Sequence, residues 1–128
     1  MSYKFFTIAF ALALSVSPVF AQQTAYIPVP PKPLTVREKV ELEFKDAPIM
    51  VRIADAESDF RPDQTNKNSS ASGVFQILRG TWKDYKCEGD FETERFDADA
   101  NIACARKIYN RSGTTPWNPS KHDWGRYL

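Results

Sequence analysis

The stretch from residue 22 to residue 34 limits the part of this chain that can build a hydrophobic core. It contains four prolines: Pro28, Pro30, Pro31 and Pro33. A stretch of this composition forms an extended spacer and cannot pack into a core. The residues that follow it number enough for one small domain and no more. We therefore expect a proline-rich linker over 22–34 and a single domain over 35–128.

The first 21 residues have the features of a signal peptide. Lys4 precedes an apolar run from Phe5 to Val16, and Val19 and Ala21 occupy the positions that signal peptidase reads. We expect cleavage after Ala21, which would deliver the protein to the periplasm or outside the cell. An uncleaved anchor is the alternative. The run is shorter than the roughly 20 residues that span a bilayer, so we expect no stable membrane anchor.

The charge balance argues against one class of partner. The chain has 17 Lys and Arg residues against 16 Asp and Glu residues, and removal of the signal peptide takes away only Lys4. The remaining chain is neutral, whereas a protein that binds nucleic acid usually carries a basic excess. We therefore expect no nucleic-acid partner.

Cys87 and Cys104 are the only cysteines in the chain. In an exported protein a single pair predicts a disulfide, worth about 3 kcal/mol in the chain-entropy model for a loop of this length. A metal pair and a thiol nucleophile are the alternatives. The lone His122 and two cysteines make a poor metal-ligand set, and no base stands near either cysteine in the sequence. We expect the disulfide, no metal and no cofactor.

Apolar spacing and capping residues predict two helices in the first part of the domain. Thr35 and Glu38 have the form of a capping box for a helix over about 36–45. Asp46 is expected to cap a second helix, which ends near Ser58.

Two further helices are predicted in the second part. Thr81 is expected to cap the first of them, while Asp97 caps a long helix that Gly113 ends. The stretch 63–72 is polar and reads as a loop or a weak hairpin. The sequence therefore predicts a mostly α domain with one polar, β-like excursion.

Glu57 is the side chain that most needs an explanation. It lies four residues after Ile53 and seven after Met50, so it shares the apolar face of the predicted second helix. A carboxyl group there loses hydration, which raises its pKa and lets it keep a proton near neutral pH. A general acid that acts on a glycosidic oxygen needs this property. The alternative is an ordinary glutamate at a helix end, solvated or paired with Arg52 or Arg61.

Several segments, taken in order, resemble the catalytic region of the lysozyme superfamily. They are Glu57-Ser58-x-Phe60, Thr65-Asn66-x-Asn68, Gly73-x-x-Gln76-Ile77, and Asn101 to Ile108 followed by Gly113 and Trp117. The resemblance covers roughly residues 47–124. It implies an α+β, lysozyme-like fold in which a helix delivers Glu57 into a sugar-binding cleft. The segment that ends at Gln76 would line the opposite wall.

The acids of this region are more similar to those of lytic transglycosylases than to those of animal-type lysozymes. Ala71 stands where an animal-type lysozyme has its second carboxylate, and Asp59 and Asp63 are the only other acids between Glu57 and Gln76. The resemblance implies that one glutamate protonates the leaving oxygen. The same group then acts as a base while the muramic acid 6-hydroxyl closes on C1 to form a 1,6-anhydro ring.

The same resemblance suggests substrate-binding residues, each with a structural alternative. Ser58 would hold the substrate or bond its own backbone, and Gln76 would bind an N-acetyl group, position Glu57, or act as a structural amide. Tyr109 is similar to the tyrosine of a family motif, although the spacing to the following glycine is one residue too long. Trp117 would stack on a sugar ring.

Taken together, these features predict a secreted, monomeric enzyme that cleaves the β-1,4 bond between MurNAc and GlcNAc in peptidoglycan glycan strands. A muramidase that hydrolyses the same bond is one alternative; it would need Asp59, Asp63 or a more distant acid to approach the cleft. A wall-binding protein without turnover is the other alternative. The sequence identifies no partner protein.

Overall fold

The computed structural model describes residues 31–127. The predicted signal peptide, 1–21, and all of the predicted linker except residues 31–34 lie outside the described residues. The helices are α1 (Val36–Glu43), α2 (Ile49–Ser58), α3 (Arg79–Asp84), α4 (Phe91–Glu94), α5 (Ala98–Ser112) and α6 (Lys121–Trp124), with 3₁₀ helices at Thr115–Ser120 and Gly125–Tyr127. The mostly α fold expected from the sequence is confirmed. None of the helices in 31–127 has the length and apolar content needed to cross a membrane.

Helix α1 begins with the predicted capping box. The Thr35 side chain accepts a hydrogen bond from the Glu38 amide at 3.2 Å, and the Glu38 carboxylate accepts one from the Thr35 amide at 2.7 Å. The predicted cap of α2 is wrong, because α2 begins at Ile49 and Pro48 precedes it without a side-chain cap. Asp46 instead forms an ion pair with Arg106 of α5 at 2.7 Å.

The core forms where α1, α2, α5 and α6 meet the segment that follows the polar excursion. Its fully buried large residues include Val40, Phe44, Met50, Ile53, Val74, Phe75, Ile108 and Trp124. Met50 and Ile53 lie on the apolar face that the sequence predicts for α2. Burial of side chains of this size contributes about 1.5–3 kcal/mol each, so this face holds α2 firmly against the core.

The polar excursion carries only a trace of sheet structure. Ser72 forms isolated antiparallel bridges with Thr65 on one side and Ile77 on the other. The stretch is therefore a loop that single bridges close, which agrees with both predicted alternatives, a loop and a weak hairpin. After it the chain turns into α3.

The predicted cap of α3 is wrong by three residues. The helix begins at Arg79 after Leu78 and not after Thr81. The Ser70 hydroxyl accepts a hydrogen bond from the Arg79 amide at 3.1 Å, so a residue distant in sequence supplies the cap. The boundaries of α5 are as predicted, since Asp97 accepts from the Ala100 amide at 2.8 Å and Gly113 follows the last helical residue.

Asn101 of α5 fixes the backbone of the segment after the polar excursion. Its side-chain oxygen accepts from the Phe75 amide at 2.9 Å, and its side-chain nitrogen donates to the Ser72 and Arg95 carbonyls at 3.2 and 3.1 Å. Gly73 makes this approach possible. A Cβ atom there would lie 2.3 Å from both the Arg95 carbonyl oxygen and the Asn101 side-chain nitrogen, and φ at Gly73 is +80°.

The predicted disulfide joins Cys87 and Cys104, whose Cα atoms lie 5.1 Å apart. Cys87 follows α3, and Cys104 is a buried residue of α5. The bond therefore ties the end of α3 to the helix that carries Asn101.

Replacing both Cys87 and Cys104 by serine should lower the free energy of unfolding by about 3 kcal/mol, because the unfolded chain regains the freedom of the closed loop. In a domain of this size the melting temperature should fall by more than about 10 °C. Calorimetry of the oxidised wild type, the reduced wild type and the double variant tests this. An unchanged melting temperature after reduction would contradict it.

Asn101→Leu keeps the side-chain volume but leaves the buried Phe75 amide without its partner. We expect a loss of about 1–3 kcal/mol in the free energy of unfolding, the cost of an orphaned buried donor. Urea denaturation measures it. Asn110→Leu, an exposed position on the same helix, is the matched control and should change stability by less than about 0.5 kcal/mol. Equal effects in the two variants would count against the role given to Asn101.

Candidate active site

A cavity of about 450 Å³ lies at the carboxyl end of α2. The polar excursion, the segment around Gln76, α3, α5 and the stretch from Pro116 to His122 also contribute to its lining. Its polar side chains are Gln64, Thr65, Asn66, Gln76, Thr81, Ser120 and His122, and its apolar ones include Ile77, Leu78, Ile108, Pro116, Trp117 and Pro119. Such a mixed surface suits a ligand with both apolar faces and hydroxyl-rich edges.

Glu57 lies in the last turn of α2 and, among residues 31–127, is the only acid that lines this cavity. Its side chain is half-buried. Burial raises the pKa of Glu57 above its ordinary value of 4.5, a hydrogen bond from Ser120 opposes the rise, and the negative charge of Asp123 adds to it. The carboxyl group thus sits at the cavity surface with a proton affinity above that of a solvated glutamate.

Ser120 is a residue of the site that the sequence analysis missed. Its hydroxyl contacts Oε1 of Glu57 and lies 2.9 Å from the Trp117 carbonyl oxygen. The indole Nε1 of Trp124 donates to the same hydroxyl at 3.2 Å. Trp117, Ser120 and Trp124 have the spacing of one helical face, and this spacing between two large apolar residues could have indicated an inward-facing serine.

Gln76 lines the cavity in an unusual backbone conformation. Its φ is +48°, in the left-handed region that non-glycine residues rarely occupy. Its side-chain nitrogen donates to the Gln64 carbonyl at 3.0 Å and to the Gly73 carbonyl at 2.9 Å. Both amide hydrogens are used in these bonds, which leaves the side-chain oxygen as the atom that can meet a ligand, as an acceptor.

The structure does not bring Ser58 to the cavity. Ser58 is 3% exposed and donates to the Val74 carbonyl at 2.7 Å. Its hydroxyl therefore ties the end of α2 to the neighbouring segment. The suggested contact with substrate gives way to this structural role because the residue after Glu57 turns about 100° around the helix, into the core.

Tyr109 does not line the cavity either. Ile108 does, and the next residue along α5 points about 100° away from it. The Tyr109 ring packs edge-on against Phe44, with 6.2 Å between ring centroids. Tyr109 therefore belongs to the apolar stripe of α5. It does not have the position in the cavity that its similarity to the family motif suggests.

Trp117 lines the cavity as expected, but its ring is largely enclosed. It is 5% exposed, and its indole nitrogen donates to the Phe75 carbonyl at 3.0 Å. Trp117 therefore forms part of the cavity floor and offers little open face for a sugar to stack on. Leu78 is the more accessible apolar surface in the cavity, at 45% exposed.

The other acids considered for hydrolysis lie away from Glu57's cavity. Asp59 lines a different cavity together with Asp123, and Asp63 is exposed. His122 is at the rim and contacts Asp123 at 3.1 Å. Across residues 31–127, no cluster of three or more His, Cys, Asp or Glu side chains is arranged to hold a metal ion.

Comparison with protein families identifies one match. The model of the transglycosylase SLT domain matches residues 37–118. This range includes all of α1 except its first residue, the whole of α2 to α5, and the residues Glu57, Gln76 and Trp117. It stops before Ser120. No curated protein and no solved structure matches the chain significantly.

Glu57→Gln should stabilise the fold, and by more at neutral than at acid pH. Because the pKa of Glu57 is raised in the folded chain, the stability that its proton affinity provides is present below the ordinary glutamate pKa and is lost as pH rises through the raised value. Glutamine has no charge to desolvate. The melting temperature of the variant should exceed that of the wild type by a few degrees at about pH 8, since 1 kcal/mol corresponds to about 4–8 °C in a domain of this size.

The difference in melting temperature should shrink as the pH falls below about 4, where Glu57 is mostly protonated in both the folded and the unfolded chain. Asp63→Asn, at an exposed acid, is the control and should show no such trend. A difference between Glu57→Gln and wild type that is independent of pH would contradict the burial of this carboxyl group.

Proposed function

The chain belongs to the transglycosylase SLT domain family, and on that basis we propose that it is a peptidoglycan lytic transglycosylase with Glu57 as its single acid and base. Membership of the family supports action on peptidoglycan of the lysozyme or transglycosylase kind. The observation that carries the finer proposal is that Glu57 is half-buried in the cavity and is the one acid lining it in the part of the chain that the structure describes.

In the first step, Glu57 donates its proton to the glycosidic oxygen between MurNAc and GlcNAc. The C1–O bond of MurNAc breaks, the GlcNAc side leaves as an alcohol, and positive charge develops at C1. A general acid for this step has to hold its proton near neutral pH. Burial raises the pKa of Glu57 in that direction.

In the second step, the Glu57 carboxylate accepts the proton of the muramic acid 6-hydroxyl as O6 forms a bond to C1. The product is a 1,6-anhydro ring, and Glu57 is again protonated for the next cycle. No water is consumed and no second carboxylate is needed. This balance agrees with a cavity whose lining contains one acid.

The cavity lining also supports a sugar ligand. An accessible apolar surface at Leu78 suits the apolar face of a sugar ring, while Thr65, Asn66 and Thr81 suit its hydroxyl edges. The side-chain oxygen of Gln76 can accept a hydrogen bond from an N-acetyl N–H. Both sugars of peptidoglycan carry such a group.

We further propose that the protein acts outside the cytoplasm as a monomer, with residues 1–21 removed, 22–34 as a linker and 35–128 as the catalytic domain. The disulfide of Cys87 and Cys104 supports an oxidising compartment. Peptidoglycan strands are the proposed partner.

Hydrolysis of the same bond is the second candidate, and one observation favours it. The charge of Asp123 acts on Glu57, so Asp123 is the more distant acid that could serve as the second carboxylate. It does not line the cavity of Glu57, which is why we place hydrolysis second. A wall-binding protein without turnover has no use for a half-buried acid in its groove.

Digestion of purified sacculi with residues 22–128, followed by mass spectrometry of the released muropeptides, tests the proposal. Anhydro-muramic ends, each lighter by one water than a reducing end, are expected. Glu57→Gln should lower the rate by at least about 100-fold, the lower range for loss of a general acid, while Asp63→Asn should keep full activity. Reducing ends would point to hydrolysis, and an active Glu57→Gln variant would remove Glu57 from its role.

A further inference from the structure

Four groups meet at one hydrogen-bonding junction: the Ser120 hydroxyl, the Glu57 carboxyl group, the Trp117 carbonyl and the Trp124 indole. The reaction proposed above suggests what this junction does. The hydroxyl contacts Oε1 of Glu57, lies 2.9 Å from the Trp117 carbonyl oxygen, and receives the Trp124 indole N–H at 3.2 Å. The same indole nitrogen lies 3.2 Å from the Trp117 carbonyl oxygen. Ser120 lies beyond the segment that matches the family model.

A serine hydroxyl has one hydrogen to donate and two lone pairs to accept with. Ser120 therefore cannot donate to Glu57 and to Trp117 at once, although both oxygens are within reach. Which of them receives the hydrogen depends on whether Glu57 carries a proton.

When Glu57 is ionised, Ser120 donates to its carboxylate and accepts from Trp124. The single N–H of the Trp124 indole is then shared between the Ser120 oxygen and the Trp117 carbonyl oxygen, each 3.2 Å from the indole nitrogen. When Glu57 is protonated, its own O–H donates to the Ser120 oxygen, and the serine hydrogen turns to the Trp117 carbonyl. Each of the four groups has a partner in both states, without any movement of the heavy atoms.

The surroundings hold Ser120 in this position. Trp124 is 1% exposed and Trp117 is 5% exposed, so the two residues that flank the serine are fixed in the core. Ser120 itself ends one 3₁₀ helix and directly precedes α6. The hydroxyl oxygen is therefore fixed, while its hydrogen is free to rotate between two acceptors.

We propose that Ser120 is a positioning residue for Glu57, whose hydroxyl hydrogen turns to the Trp117 carbonyl when Glu57 takes up its proton and returns to the carboxylate when Glu57 gives it away. The transglycosylase cycle requires Glu57 to be an acid first and a base second. A partner that fits both states keeps the carboxyl group in one orientation for both steps. The inference rests on the proposed function for its purpose, and on the hydrogen-bond geometry alone for its existence.

The charged and titratable groups near this junction are Asp123 and His122 of α6, and Arg52, Asp55 and Asp59, which line a cavity together with Trp124. Asp123 raises the pKa of Glu57 by its charge, and His122 is paired with Asp123 at 3.1 Å. The stretches 64–66 and 115–120, which line the cavity beside Glu57, contain no charged side chain. A titration seen at the Trp124 indole is therefore assigned to Glu57 by its loss in Glu57→Gln.

The chain has three tryptophans, so nuclear magnetic resonance can follow each indole N–H separately. In residues 22–128 we expect the Trp124 indole signal to move with pH at the midpoint of the Glu57 carboxyl titration, because the oxygen that it contacts reverses its own hydrogen bond. The movement should be absent in Glu57→Gln. In Ser120→Ala the titration of Glu57 should move to higher pH, since the ionised carboxylate loses a donor.

On sacculi, Ser120→Ala should lower kcat about tenfold with KM unchanged, the effect of losing one hydrogen bond to a charged group. The upper limb of its pH profile should move to higher pH with the titration. Ser120→Thr keeps the hydroxyl and should restore the rate and the limb. Ser112→Ala, which removes a hydroxyl that contacts Tyr85 away from the cavity, is the matched control and should leave both unchanged.

A Trp124 signal that stays constant across the Glu57 titration would overturn the inference. A rate loss in Ser120→Ala with no shift in that titration would overturn it as well, because a merely structural serine would act in this way. The resonance experiment needs no substrate. If the wild type fails to cleave sacculi, the proposed function fails while the behaviour of the Ser120 hydrogen is still measured, and Glu57→Gln supports or overturns it even if Ser120→Ala does not fold.

Discussion

The side-chain amide of Asn101 makes the interactions on which the geometry of the cavity depends. From within α5 it holds the Phe75 amide and the Ser72 carbonyl, and the backbone between these points leads directly to Gln76. Ordinary sheet pairing could not do this, because the neighbouring excursion has only isolated bridges. A single buried side-chain amide thus makes the hydrogen bonds that a neighbouring strand would make in a sheet. It fixes one side of the cavity relative to α5.

The other side of the cavity follows from a conflict within α2. The apolar face that attaches this helix to the core also carries Glu57, and the burial that makes the acid useful disfavours its charge. Gln76 adds backbone strain of its own, at φ +48°. Both costs fall on residues that line the cavity, where such costs serve function more often than stability. The apolar packing of Met50 and Ile53 offsets them.

Features of the fold that depend on neighbours in sequence were predictable, and features that depend on distant partners were not. The capping box at Thr35 and the cap at Asp97 are local signals, and the face of Glu57 follows from its spacing to Ile53. The local sequence predicts Asp46 as a cap because it gives no sign of the ion pair with Arg106, which joins residues far apart in the chain. The spacing of Ser120 to the two tryptophans indicates that it faces inward, but its contact with Glu57 joins residues 63 apart and appears only when α6 packs beside α2.

The Asn101 side chain lies where a side chain at position 73 would have to be, and this close approach limits how related chains can differ. A Cβ atom at position 73 would lie 2.3 Å from both the Asn101 side-chain nitrogen and the Arg95 carbonyl oxygen. A smaller residue at 101 would remove only the first of these contacts, and it would give up the bond to the Phe75 amide. Neither exchange works alone. Homologous chains should therefore keep glycine at 73 wherever they keep this path of the backbone against the helix, although 27 residues separate the two positions in the chain.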